Sequence, residues 1–177
     1  MKVGNPHPDP PPKGEGDASD PPPKGEGDAS DPPPRGRERL TKTAPRRTAR
    51  CADPPPAALL RGIEEFNRQE FFEQHETLEG IWIREPDAVR YLYQGILQVG
   101  VGFYHWRRGN WRGALAKLGH GLTKLEPYRP ACMTIDVERL VVETAALRDL
   151  LERRGPADLP PFPPPRLPRV HRTTESA

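Results

Sequence analysis

FFEQHETLEGIW, Phe71 to Trp82, and YLYQGILQVGVGFYHWRRGNWRGALAKL, Tyr91 to Leu118, decide the fold class. In the first, Phe71, His75, Leu78 and Trp82 recur at i, i+4, i+7 and i+11, one stripe of an α-helix. In the second, Leu92, Ile96, Val99 and Phe103 repeat that spacing beside a stripe of Tyr91, Gly95, Gln98, Gly102 and His105. His75 therefore falls on a core face, with Glu79 one turn on, Glu76 to one side and Glu73 outward. Gln94 lies one turn before Gln98. Glycine inside a helix costs about 1 kcal/mol against alanine. Gly95 and Gly102, seven apart, predict a neighbouring helix in very close contact, with Gln98 and His105 pressed against it.

Start and stop signals extend this pattern to both sides. Residues 57–66 form a short helix with Leu59, Leu60, Ile63 and Phe66 on one side, and Asn67 is a break and a cap for the next helix, about 68–84. Pro86 ends that helix and Asp87 caps a third, about 88–108. Arg107 and Arg108 suit its C-terminal dipole, Gly109 its C′ position and Asn110 the next N-cap. A fourth helix, about 111–126, turns Ala114, Leu118, Leu122 and Leu125 inward and stops at Pro127. A fifth, about 136–153, presents Val137, Leu140, Val141, Leu147, Leu150 and Leu151, and Gly155-Pro156 closes it. No segment alternates with period two, so strands are not expected.

Composition confines this domain. The chain has 177 residues and 25 prolines, and proline crowds residues 6–56 and 156–168. Residues 9–19 read DPPPKGEGDAS, residues 20–30 repeat them, and a third copy decays after Asp31. Three prolines, two glycines and no large apolar residue per copy bury nothing and favour extended polyproline II with flexible joints. The expectation is an all-α fold, a compact four- to five-helix bundle at 56–155, flanked by disordered proline-rich N- and C-terminal tails at 1–55 and 156–177. The C-terminal PFPPPRLPRVHRTTESA has PxxP-like spacing at Pro165 and Pro168 beside Arg166 and Arg169, a weak ligand pattern for a proline-binding domain.

Net charge is +2, but it is unevenly placed: 57–155 hold 14 basic and 14 acidic residues, 9–30 carry −4 and 35–50 carry +6. The basic stretch lacks the interleaved aromatics that stack on bases, so nucleic acid is not an expected partner. Cys51 and Cys132 make no disulfide framework, and Cys51 sits in the presumed linker. A reduced, cytoplasmic setting fits that usage. The N-terminus MKVGNPHPDPPP lacks an apolar signal core, and no run is long enough to span a membrane.

FNRQEFFEQHETLEGIW at 66–82, QGILQ at 94–98, and His105 followed by GNWRGALAKL at 109–118 together resemble the domain of unknown function 309 family, small all-α proteins. The resemblance covers about 60–126 and implies a fold, since the family has no agreed activity. It places the family's characteristic polar positions at His75, Glu76, Glu79, Gln94, Gln98, His105, Gly109 and Asn110. Gly100 and Gly102 depart from it, because alanine-like residues are usual there, and such a departure would loosen the third helix.

Three functions fit these residues. In the first, His75, Glu76, Glu79, Gln94, Gln98 and His105 form a buried hydrogen-bonded network that fixes helix register in a non-enzymatic structural or protein-interaction module, open to a protein partner or self-association. In the second, His75, Glu79 and His105 hold a divalent metal for hydrolysis, with Glu76 or Glu79 as general base. The H-E-x-x-E spacing falls short of a zinc motif, and the paired Glu-x-x-His of bundle di-iron sites is missing. In the third, the HWRRGNWR turn, with Trp106, Arg107, Arg108, Trp111 and Arg112 on its surface, binds an anion, nucleic acid or a protein. No cofactor other than that metal is implied. No phosphate loop, nucleophile elbow or paired Cys-x-x-Cys appears.

Overall fold

Five helices in chain order account for residues 57–154 in a computed structural model that describes residues 44–173. They are α1 (Ala57–Asn67), α2 (Phe71–Trp82), α3 (Arg90–Arg107), α4 (Trp111–Leu125) and α5 (Val137–Arg154). The repeats at 9–30, residues 35–43 of the basic stretch and residues 174–177 lie outside the described residues.

The helices end where side chains can satisfy their open backbone groups. Asn110 accepts from the Gly113 N–H at 2.9 Å, and Asp136 accepts from the Arg139 N–H at 3.0 Å. Gly109 and Gly155 follow α3 and α5 with φ of 76° and 74°, a region that suits glycine. Asp87 acts one step ahead of α3, accepting from the Val89 N–H at 2.8 Å. Asn67 is not a cap: it ends α1, and its side chain holds the C-terminal segment.

α3 is the central element, buried along nearly its whole length. Small residues set its contact with α4. A methyl group on Gly102 would meet the Leu118 side chain at 2.7 Å, and one on Gly121 would meet Val99 Cγ2 at 2.8 Å and the Gly95 carbonyl at 2.9 Å. The close approach expected from Gly95 and Gly102 is therefore made by α4. Gly100 does not loosen α3, which runs unbroken. It receives the Gln74 amide of α2, whose oxygen would clash with any side chain there. Phe66, Phe71 and Phe103 pack ring against ring where α1, α2 and α3 meet, with centroids 5.7–6.0 Å apart.

Two expectations fail outside the helices. First, residues 47–53 and 159–173 pack on the bundle. Arg47 donates to the Ala131 carbonyl at 2.7 Å, Thr48 donates to Asp87 at 2.8 Å, and Arg50 pairs with Glu85 at 3.1 Å. Cys51 is joined to Cys132, 81 residues away, by a disulfide with its Cα atoms 4.4 Å apart. The expectation that the two cysteines make no disulfide therefore does not hold. Second, there is a small antiparallel hairpin, β1 (Ala131–Cys132) and β2 (Ile135–Asp136). Its turn residues Met133 and Thr134 have φ of 49° and 60°, the left-handed geometry of a two-residue hairpin turn. The turn is held from both flanks: the Met133 N–H donates to the Cys51 carbonyl and the Thr173 N–H to the Thr134 carbonyl, each at 2.8 Å. No helix among the described residues is long and apolar enough to cross a membrane.

Candidate functional site

The polar residues divide between two helix contacts. Gln94, Gln98, Val101 and His105 recur at i, i+4, i+7 and i+11 and share one face of α3. Gln94 is 8% and Gln98 0% exposed. Across the contact, Lys124 of α4 donates to Gln98 Oε1 at 2.9 Å. Lys117, seven residues earlier on the same face of α4, is 2% exposed. A buried amide that accepts from an ammonium ties two helices more firmly than a neutral pair does, because the charge strengthens the bond. Neither lysine was picked out from the sequence, although their seven-residue spacing, alongside Gly121, placed them on the side of α4 that meets α3.

The second contact lies between α2 and α3. Gln74 is fully buried, and its Nε2 donates to the Ile96 carbonyl at 3.3 Å. It is the central polar residue of α2, where the stripe had pointed to His75. His75 is only partly covered and lies 3.9 Å from Glu79, with side chains 18% and 27% exposed. Glu76 is exposed. His105 Nδ1 is 3.2 Å from the Asn110 amide at the start of α4. Among the described residues, no three His, Cys, Asp or Glu side chains gather in a group that could hold a metal ion. The trio His75, Glu79 and His105 therefore does not form such a site.

The HWRRGNWR turn does not offer open ring faces. Trp106 is 1% exposed and donates its indole N–H to the Pro160 carbonyl at 2.7 Å. Trp111 donates to the Leu151 carbonyl at 2.7 Å, which moors α4 on α5. Arg107 donates to the Gln69 carbonyl at 2.9 Å and lies 5.3 Å over the Phe71 ring. Arg107 and Arg108 both lie 5.7 Å from the Tyr104 ring. Arg112 is exposed.

Two buried phenols complete the electrostatics. Burial pushes the Tyr93 and Tyr128 hydroxyls up to about 12. Tyr128 donates to the Ala88 carbonyl, and Tyr93 faces Met133 Sδ at 3.7 Å. At the foot of α5, hydrogen bonds from Arg129 hold the Glu138 carboxyl below the usual carboxylate range.

Comparison with known proteins fits this architecture. Residues 59–116, from α1 into α4, match the family described as Domain of unknown function (DUF309). The "Uncharacterized protein YpuF" of Bacillus subtilis (strain 168) is 31% identical over 99 residues, 55% of this chain and 54% of the relative. The chain thus spans about half the length of that curated relative. No solved structure matches it. Residues 59–116 are thus similar to the domain of unknown function 309 family.

Proposed function

We propose that this chain is a non-enzymatic helical module that works through protein contacts, with its buried polar residues fixing helix packing. What carries this reading is how those residues are engaged. Gln98 accepts from Lys124 across α3 and α4, and Gln74 donates to the α3 backbone from α2. Each bond joins one helix to its neighbour, the arrangement expected of a register-setting network. The outer face of α2 supports the contact role. Phe72 is 58% and Ile83 37% exposed, and Glu76 and Glu79 lie between them on the same stripe. A partner helix, from another protein or a second copy, would find apolar anchors at both ends and charge between.

A double-mutant cycle on Gln98→Ala and Lys124→Met tests the structural part. Contacting groups in one network couple by roughly 0.5–3 kcal/mol in unfolding free energy, so additive losses would count against it. Metal analysis separates the hydrolase alternative: one equivalent of divalent metal in the purified chain, lost in His75→Ala, would replace this reading. Sedimentation velocity tests the contact face, where Phe72→Ser should weaken any concentration-dependent association.

A further inference from the structure

The segment after α5 lies in a groove that has the features of a peptide-binding site. Its floor is built from Phe71 at the start of α2 and from Phe103 and Trp106 near the end of α3. Phe162 stands edge-on to Trp106 at 5.7 Å and to Phe71 at 6.3 Å. Two residues earlier, the Pro160 carbonyl accepts from the Trp106 indole. Pro164, Pro168 and Val170 are buried further along. At the far end Asn67 grips the Val170 backbone at both groups, accepting from its N–H at 2.8 Å and donating to its carbonyl at 3.0 Å. The segment leaves α5 through Gly155, whose φ of 74° suits glycine.

A proline-rich backbone has few N–H groups to satisfy and little conformational freedom to lose. It is therefore recognised by aromatic surfaces and by donors aimed at its carbonyls. The groove supplies both, together with a pocket for one aromatic anchor. We infer that the groove formed by Asn67, Phe71, Phe103 and Trp106 is a recognition site for a proline-rich peptide of a partner protein carrying a Phe anchor, and that residues 159–170 occupy it in cis. Self-occupancy regulates the site, because a tethered segment competes at an effective concentration in the millimolar range. Trp106 and Phe71, each 1% exposed, would be bared on release and need a replacement cover. This site is separate from the α2 outer face and stands or falls without it.

The test uses the full chain and a synthetic peptide, LPPFPPPRLPRVHR, that copies residues 159–172. Calorimetric titration compares the wild type with two variants that loosen the cis segment at opposite ends and leave the groove residues unchanged, Phe162→Ala and Val170→Asp. The Phe162→Ala chain is expected to bind the peptide at least tenfold more tightly than the wild type does. A peptide with its Phe replaced by Ala should bind that chain at least tenfold more weakly. Val170→Asp, at the far end of the segment, serves if Phe162→Ala does not fold, and it should also bind the peptide more tightly than the wild type does. No binding to either variant would overturn the proposal and leave the segment as structural packing. Dimerisation of the opened chain without peptide binding would also overturn it, in favour of segment exchange between two copies.

Discussion

Gly121→Ala measures how much of the fold depends on the close contact of α3 and α4. By helix propensity alone this change should stabilise, since alanine is favoured over glycine by about 0.8–1 kcal/mol inside a helix. Packing opposes it. The new methyl group would lie 2.8 Å from Val99 Cγ2, 2.9 Å from the Gly95 carbonyl and 3.1 Å from the Val99 nitrogen. Two of these three atoms are backbone, so no rotamer change relieves them. The helices must separate by about half an ångström to restore ordinary contact distances, and overpacking of this kind costs about 1–3 kcal/mol. With backbone on the receiving side the upper half of that range applies, which leaves a net loss of about 1–2 kcal/mol. The same separation would lengthen the Lys124–Gln98 bond of 2.9 Å.

Gly80→Ala is the control. Gly80 lies in α2, and a methyl group there meets nothing within 4 Å. Propensity should act alone and stabilise by about 0.5–1 kcal/mol. The assay is urea unfolding followed by circular dichroism, with the two variants beside the wild type. Gly121→Ala should fall below the wild type and Gly80→Ala rise above it. A Gly121→Ala chain as stable as Gly80→Ala would refute the reasoning, because it would mean that the α3–α4 contact yields freely.

Three further outcomes follow from named contacts. The Cys51–Cys132 disulfide spans 81 residues, and chain entropy alone assigns such a loop about 4–5 kcal/mol. Reductant should therefore lower the melting temperature of the wild type and leave a Cys51→Ser/Cys132→Ser chain unmoved. Tyr93 and Tyr128 ionise near 10 in the unfolded chain and are pushed up to about 12 by burial. The unfolded state loses these protons first, so stability should drop between pH 10 and 12 by about 2–3 kcal/mol per residue, and Tyr93→Phe should remove its share of that slope in alkaline melts. Trp111→Phe keeps most of the ring volume but loses the donor to the Leu151 carbonyl. That carbonyl keeps the Gly155 N–H at 3.0 Å, so the loss is one hydrogen bond, about 0.5–1.5 kcal/mol, readable as a lower urea midpoint.

The helices were legible in the sequence because their signals are local. Asn110, Asp136, Gly109 and Gly155 each act within a few residues of the helix end they serve, and Gly95 and Gly102 declare a close neighbour by spacing alone. The features that were not legible depend on residues far apart in the chain. Cys51 finds Cys132 across 81 residues. The Met133-Thr134 turn has no glycine or asparagine to announce it, and its left-handed geometry is supported by Cys51 and Thr173 from opposite ends of the described chain. Trp106 looked like a surface anchor because it follows His105 at a helix end, but its indole serves the Pro160 carbonyl 54 residues on. The prolines of 156–168 suggested a tail by composition, which hides the fact that Phe162 and Val170 are anchors with sites waiting for them. His75 drew attention over Gln74 because histidine carries chemistry, whereas the deeper position on α2 belongs to the amide.

These long-range ties bear on what the folding unit is. The family match ends at residue 116, and the helical pattern ends near 155. A chain of residues 57–155 keeps all five helices and all of the α3–α4 contact. It loses the disulfide, the Phe162 contacts with Trp106 and Phe71, and the Asn67–Val170 pair. The disulfide alone represents about 4–5 kcal/mol, and uncovering two aromatic rings adds about 1.5–3 kcal/mol for each buried side chain bared. Domains of this size are stable by about 5–15 kcal/mol in total. The losses are therefore comparable with the whole margin, and the 57–155 piece should be helical but poorly cooperative. Residues 44–173 should melt in one sharp transition. Circular dichroism melts of the two pieces decide the matter. A 57–155 piece that unfolds as sharply as 44–173, and within a few degrees of it, would show that the flanks decorate a self-sufficient bundle.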